Sequence, residues 1–344
     1  MTQVNLLIVP NPVLGGRYAM AFLFVVEPGS RVKVRRGIVI VETNDGHKVE
    51  VSPAFHQALI LGTGRASITT SALRKLAEWG VDLVVLSSRG EPLGRFYPTV
   101  INRTISSRVE QYKAMLDGRG LKVAKAIVEA KVRNQAAILR YFSRVRHYNE
   151  LREIAGLLER IADELAESRV EDPREIMEYE SRAARYYWSS VASLLPSYYE
   201  FSGRDPQSSD PFNMMLNYGY GILYPRVEKA LLLVGLDPYA GFMHREKSGR
   251  PTLVYDFIEQ FRQPAVDKPI IARASRIKPR IEAGFLSRET RREIARIVLE
   301  NLARLHNIGS RKAPLDKIIL RKASELTAYL RGTLSEFKGY RAWW

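Results

Sequence analysis

The hydrophobic pattern of this chain changes period once, near residue 98, and that change restricts it to folds with two differently built parts. Before the change, "RYAMAFLFVVEPG" and "RVKVRRGIVIVETNDGHKVEV" are rich in Val, Ile and Phe and read as strands. Asn44-Asp45-Gly46 interrupts the second run with residues that tolerate positive φ, which predicts a hairpin. "ALILGTGRASITTSALRKLAEWGVDLVVLSS" reads as strand, loop, short helix and strand, with Ser71 or a neighbouring Thr capping the helix and Gly80 ending it. "LGTGRAS" lacks both GxxxxGK[ST] and a full GxGxxG, so it is a turn rather than a phosphate loop. The turn-rich "SSRGEPLGRFYP" closes this part.

Every later segment has helical spacing. Asp117-Gly118 separates two helices, "ELREIAGLLERIADELAES" is an amphipathic helix, and Asp210-Pro211 supplies a cap and a first-turn proline for "FNMMLNYGYGILYPRVEKALLLVGL". "TLVYDFIEQFRQPAVD" makes a short helix ending near Pro264, and two amphipathic helices are expected around 287–305 and 314–330. The expected class is therefore α+β, with a small N-terminal β-rich domain over 1–97 and a larger all-α domain over 98–344.

Charge narrows the partners. The chain has 53 Lys and Arg against 37 Asp and Glu, a net charge of +16, and so favours a polyanion such as nucleic acid. The tail from about 271 holds seventeen Lys/Arg against seven Asp/Glu, ten of the sixteen surplus charges. Zero cysteines exclude disulfides, iron–sulfur clusters and thiolate zinc sites. The opening "MTQVNLLIVPNPVLGG" lacks the features of a signal peptide, and "ALLLVGL" is too short to span a bilayer. A cytoplasmic protein without membrane association is expected.

Three places depart from ordinary helix patterning. In "EIMEYESRAARYYWSSVASLL", the apolar positions Met177, Ala184, Tyr187, Trp188, Val191 and Leu195 form a stripe on which Glu180 also falls. A carboxylate there loses several kcal/mol of hydration unless a cation or hydrogen bonds compensate it. Arg182 or Arg185 is one candidate partner; a bound metal is another. His244 stands between an apolar segment and a turn, and Asp256 and Glu259 lie three apart, facing the same way from one helix. Singly, each has an ordinary reading: a hydrogen-bonded histidine, a solvated acidic face. Together, one imidazole and two or three carboxylates suit Mg²⁺ or Mn²⁺ with positions left for water and phosphate oxygens.

Spacing alone does not decide between these readings, but the residues resemble a family. "SRAARYYW" after Glu180, then "DPFNMMLNYGYGILYPRVEKALLLVGLDPYAGFMHREKSGRPTLVYDFIEQFRQPAVD", resemble the core of the CRISPR-associated integrase, the metal-dependent nuclease-integrase of spacer acquisition. The likeness continues through "QYKAMLDGRGLKVAKAIVEAKVRNQAAILR" and into "EPGSRVKVRRGIVIVE" and "ITTSALRKLAEWGVDLVVLSSRGEPLGRF", covering roughly residues 20–270. The resemblance implies metal ligands at Glu180, His244 and Glu259, with Asp256 at a further acidic position; many members carry Asp at the position of Glu259. It leaves open which of Asp256 and Glu259 touches the metal. It also implies a homodimer through the β-domains, and a heterohexamer-type complex in which two dimers flank a dimer of the small ferredoxin-like second CRISPR-associated protein. Double-stranded DNA is the implied substrate, both as incoming fragment and as repeat array.

Basic and amide groups near these positions are candidates for phosphate contact: Arg245, Lys247 and Arg250 beside His244, Arg273, Arg276, Lys278 and Arg280 at the start of the tail, and Asn213 and Asn217 four apart on one helix. Tyr186, Tyr187, Trp188, Tyr198 and Tyr199 read as core packing in preference to base-stacking platforms. The rival functions are a DNA repair or junction-cleaving nuclease, a transposon-type integrase on the same site, and a non-catalytic DNA-binding scaffold.

Overall fold

A computed structural model of the chain describes residues 6–9, 21–25, 27–51, 56–62, 65–79, 81–87, 92–96, 105–244 and 249–344. Two compact units are formed, each from three stretches of sequence: 1–100, 206–225 and 276–304 in the first, 101–205, 226–275 and 305–344 in the second. The boundary expected at 97/98 falls among residues 97–104, outside those described.

The first unit contains strands β1 (Leu6–Val9), β2 (Ala21–Val25), β3 (Arg31–Arg35), β4 (Ile38–Glu42), β5 (Lys48–Val51), β6 (His56–Leu61), β7 (Ser67–Ile68), β8 (Asp82–Leu86) and β9 (Pro92–Phe96). One sheet has the order β1-β2-β6-β8-β9, the other β5-β4-β3-β7. In the first sheet β2, β6 and β8 run parallel, with antiparallel strands at both edges. β4 and β5 make the expected hairpin, pairing Glu42 with Lys48 around Gly46 at φ +87°. Helix α1 (Thr70–Glu78) is capped by Thr69, whose hydroxyl accepts from the Ala72 amide at 3.3 Å. Alternate residues of the strands, among them Leu23, Val25, Val32, Val39, Val41, Leu59 and Leu61, close a core with Ala72 and Leu76 of α1.

The second unit is a helix assembly of α2 (Ile105–Ala114), α3 (Arg119–Arg146), α4 (Asn149–Glu167), α5 (Pro173–Leu194), α7 (Thr252–Arg262), α8 (Lys268–Ile271) and α10 (Leu315–Leu330), together with the last turns of α6 (Pro211–Leu233). α3 is its spine and packs against α4, α5 and α7. Asp172 and Glu175 form a reciprocal capping box that starts α5. The helix expected to stop near Pro264 instead continues through a π-helical turn, Gln263–Asp267, into α8. Proline offers no amide to the carbonyl four residues back. That carbonyl, on Gln260, accepts from the Asn134 side chain at 2.9 Å, so the chain keeps winding without an orphaned acceptor.

The tail helices form where expected, α9 (Arg288–Ala303) in the first unit and α10 in the second. Two antiparallel ribbons interrupt the part expected to be wholly helical: β10 (Ile281–Glu282) with β11 (Phe285–Leu286), and β12 (Leu305–Ile308) with β13 (Arg311–Pro314). At two and four residues per strand they are too short to leave a periodic signal. Ala283 and Gly284, both at positive φ, turn the first ribbon.

One close contact tests the packing of α3. A Cβ on Gly120 would stand 2.4 Å from the Phe242 ring and 2.8 Å from the Ala114 carbonyl oxygen. Alanine gains up to about 1 kcal/mol in helix propensity, but overpacking of this kind costs about 1–3 kcal/mol. Gly120→Ala will therefore lower the thermal midpoint, measured by circular dichroism, rather than raise it.

Candidate active site

Glu180, His244, Asp256 and Glu259 all belong to the second unit, carried by α5, the loop before α7, and α7 itself. On α5 the buried stripe is Ile176, Ala183, Tyr187, Ser190, Val191 and Leu194. It is rotated by one residue from the expected one, since Met177 is 36% exposed. Glu180 is four beyond Ile176 and three before Ala183, so it remains on the stripe. Nearly all of α7 is buried, Asp256 and Glu259 included, which excludes the solvated-face reading of those two acids.

The charge opposite Glu180 is Lys131, from the middle of α3. Its ammonium forms a short ion pair with Glu180 and lies 2.6 Å from Glu259 Oε2. Neither nearby arginine takes this role: Arg182 pairs with Glu164. Glu259 Oε1 lies 3.1 Å from Arg262 Nη2. Oε2 is buried and lacks an aligned hydrogen-bond donor, despite the closeness of Lys131. Burial pushes the Lys131 pKa down, but the charges of Glu180 and Glu259 outweigh it and hold the amine protonated above its ordinary range. Burial likewise raises Glu259, and Arg262 and Lys131 pull it back below the usual carboxylate value.

His244 is fixed from its other side. Its Nδ1 lies 2.6 Å from Asp256 Oδ1, while Asp256 Oδ2 accepts from the Phe242 and Met243 amides at 2.6 and 2.8 Å. The loop Gly241-Phe242-Met243-His244 is thus folded around one carboxylate. Gly241 is required there, since a Cβ would come within 2.8 Å of Asp256 Oδ2 and of the Thr252 backbone. The hydrogen bond that His244 donates to Asp256 raises the His244 pKa, burial opposes this, and the Asp256, Glu180 and Glu259 charges add to the rise. With Nδ1 held as donor to Asp256, Nε2 is the ring atom left to meet a ligand.

Among the described residues, no three His, Asp or Glu side chains converge as a ready-made metal cage, and the Lys131 ammonium pairs with two of the acids. The donor set nevertheless fits a divalent ion: carboxylate oxygens of Glu180 and Glu259, one of them buried without an aligned donor, and an imidazole oriented through its far nitrogen. Asp256 is committed to His244 and two amides and is the positioning group of the set.

The phosphate-contact candidates are arranged differently. Arg245 and Lys247 lie outside the described residues, and Arg250 is exposed. The Arg273 guanidinium donates to the Pro269 carbonyl at 3.2 Å, and Arg276, Lys278 and Arg280 are exposed. Asn213 is buried and donates to Asp210 Oδ2 at 2.6 Å, and Asn217 donates to the Pro206 carbonyl at 2.9 Å, so both amides fasten the entry to α6. Tyr187 and Tyr199 are core residues, bonded to Asp267 and to the Ala274 carbonyl, whereas Tyr186 and Tyr198 are 42% and 48% exposed.

Lys131 is the site residue that the sequence reading passed over. Its signal is the same as that of Glu180: it falls on the buried stripe of α3 that runs through Val128, Lys131, Gln135 and Ile138.

Comparison with known proteins places this geometry in a family context. A family model described as CRISPR associated protein Cas1 matches residues 23–300. A CRISPR-associated endonuclease Cas1 of Hyperthermus butylicus is 42% identical over 287 residues, 81% of this chain and 86% of the relative. Among solved structures, a casposase bound to integration product superposes with a TM-score of 0.82 at 24% identity, covering 92% of each chain. A Cas6-RT-Cas1–Cas2 complex superposes with a TM-score of 0.77 at 20% identity, covering 95% of this chain and 37% of the other.

The Asp256 clamp has a measurable consequence in the metal-free protein. Because His244 has a folded pKa above its ordinary value of about 6.5, its protonation stabilises the fold fully below that value. The contribution is lost as pH rises through the raised one. Asp256→Asn will bring the His244 titration down towards about 6.5 in a histidine NMR titration and will remove this stability gain at low pH.

Proposed function

Because the chain belongs to the CRISPR-associated Cas1 family, we propose that it is a metal-dependent DNA endonuclease and integrase of CRISPR adaptation, with Glu180, His244 and Glu259 as ligands of Mg²⁺ or Mn²⁺. The observation that carries the reading is the buried Asp256–His244 pair set against two acids that need a cation. A carboxylate behind an imidazole fixes the tautomer that presents Nε2, and the half-buried Glu180 and the buried Glu259 would supply hard oxygen donors.

The reaction is phosphodiester transesterification. A 3′-hydroxyl of the incoming DNA attacks a backbone phosphate in line, and the repeat strand leaves with its own 3′-oxygen; water in place of the hydroxyl gives hydrolysis. A divalent ion held by Glu180, His244 and Glu259 would supply Lewis acidity to the reacting phosphate and its nucleophile. The protein's own groups do the rest. Asp256 keeps His244 from turning, and with Nδ1 engaged there and Nε2 given to a metal, His244 would be a ligand rather than a base. Arg262 holds Glu259 ionised against burial.

The basic tail, together with Arg245, Lys247 and Arg250, brings the phosphates in, with little preference among bases. The protein works in the cytoplasm as a homodimer through its strand-rich part, and two dimers flank a dimer of a Cas2-type partner on double-stranded DNA. No described helix is long and apolar enough to cross a membrane. A transposon-type integrase would share the site; the 42% identity to a CRISPR-associated endonuclease over most of both chains favours the CRISPR reading.

The test is transfer of a short duplex into a supercoiled plasmid bearing the repeat, with and without partner and metal. Product is expected only with divalent ion, and metal-independent transfer would overturn the reading. Glu180→Ala will reduce transfer by on the order of 10²-fold or more, as expected when a group polarising the reacting phosphate is lost. Circular dichroism and duplex binding will stay close to wild type, and undiminished transfer would remove Glu180 from the site. Duplex affinity of the wild type will fall by on the order of 10³-fold between 50 and 200 mM salt if six or more phosphates are neutralised; fluorescence anisotropy measures this.

A further inference from the structure

The two acids assigned to the metal already share a cation, and it belongs to the chain. Lys131 reaches both from a buried position on α3, donating to Glu180 and lying in ion-pair range of Glu259 Oε2. A divalent ion bridging the same acids needs the same space, and an ammonium left beside it would be strongly repelled. Lysine differs here from a fixed arginine fork, because its charge sits at the end of a flexible four-carbon stem that turns aside readily.

We propose that Lys131 is a built-in placeholder for the catalytic cation: it bridges Glu180 and Glu259 while the site is metal-free and is displaced when the divalent ion enters. This rests on the reading of Glu180, His244 and Glu259 as the divalent-ion site. The displaced ammonium keeps its charge and stays on α3, next to the acids it leaves. The same lysine thereby prevents the empty acid pair from repelling itself apart and makes the site yield only to an ion that binds more strongly than one ammonium. Metal affinity is set by a competition internal to the protein, and removing the competitor strengthens metal binding while weakening the metal-free fold.

The experiment titrates Mn²⁺ into the full chain, without DNA, and follows the free-ion electron paramagnetic resonance signal for wild type, Lys131→Met, Lys131→Arg and Glu180→Gln. Loss of the competing charge in Lys131→Met is expected to tighten Mn²⁺ binding about tenfold or more, the scale on which groups next to a ligand set change metal affinity. Lys131→Arg, which keeps the charge, is expected not to tighten it. Unchanged or weaker binding in Lys131→Met, with binding lost in Glu180→Gln, overturns the placeholder and leaves the metal site standing. Full Mn²⁺ binding by Glu180→Gln overturns the metal-site reading itself. Should Lys131→Met be unfolded without metal, recovery of its circular dichroism spectrum on adding Mn²⁺ supports the proposal. A chain that stays unfolded in saturating Mn²⁺, for this variant and for Lys131→Gln, overturns it.

Discussion

The second unit is organised around one buried ammonium. Lys131 on α3, Glu180 on α5 and Glu259 on α7 come from three helices distant in sequence, and their charges are what those helices exchange where apolar side chains would otherwise meet. Removing the shared ammonium would cost about 3–5 kcal/mol, because the two acids would lose the cation between them. A well-packed apolar triad would serve stability as well or better. The arrangement is therefore poorly explained as a stabilising device. It is well explained as a site, where acids must remain ionised and close together in a place that excludes water.

The surroundings hold that geometry with hydrogen bonds rather than further charge. Asn134, one turn beyond Lys131 on α3, donates to the carbonyls of Gln260 and Tyr340, each at 2.9 Å, and accepts from the Ala342 amide at 2.8 Å. Gln260, next to Glu259, accepts from the Tyr340 amide at 2.8 Å. Residues 340–342 thus lie across α3 and α7 as a strap, so the register that presents Lys131 to Glu259 is fixed one turn away from the charges themselves. The close approach is possible because Gly339 has no side chain: a Cβ there would fall 2.5 Å from the Ala126 carbonyl oxygen. Gly241 serves the same purpose in the His244 loop, where backbone amides converge on Asp256.

What was legible in the sequence follows from which signals are local. The Asn44-Asp45-Gly46 hairpin, the Asp172 and Asp210 helix starts and the two tail helices each depend on residues within a few positions of one another, and they form as read. Glu180 was legible as a misplaced charge even though its stripe was read one residue out of phase, because a three-or-four spacing to apolar neighbours survives that error. Its partner was not. Lys131 is 49 residues away and shows only as a charge on another apolar stripe, and two such anomalies become a pair only once helices are packed. Continuation of α7 past Pro264 was hidden for a similar reason, since the group that satisfies the Gln260 carbonyl is Asn134, 126 residues earlier. Family resemblance supplied His244 and Glu259, which spacing alone left as ordinary residues; the clamp that Asp256 makes on His244 and two backbone amides needed atoms.

Charge balance ties the empty site to its chemistry. Glu180, Asp256 and Glu259 carry three negative charges, and Lys131 and Arg262 return two. A proton on His244, favoured by the acids around it, brings the cluster to neutrality, which is the cheapest state for buried charge. If His244 is a ligand as proposed, binding a divalent ion would release that proton and add two charges, so the cluster would carry one net positive charge. That is the sign needed to receive a phosphodiester, whose single negative charge would be repelled from bare carboxylates. A non-catalytic scaffold gains nothing from such a change of sign deep in a helix unit, since duplex binding draws on exposed arginines and lysines instead. On the proposed reading, the cluster is close to neutral without the ion and attracts phosphate once the ion is held, which would couple the ion to admission of the strand.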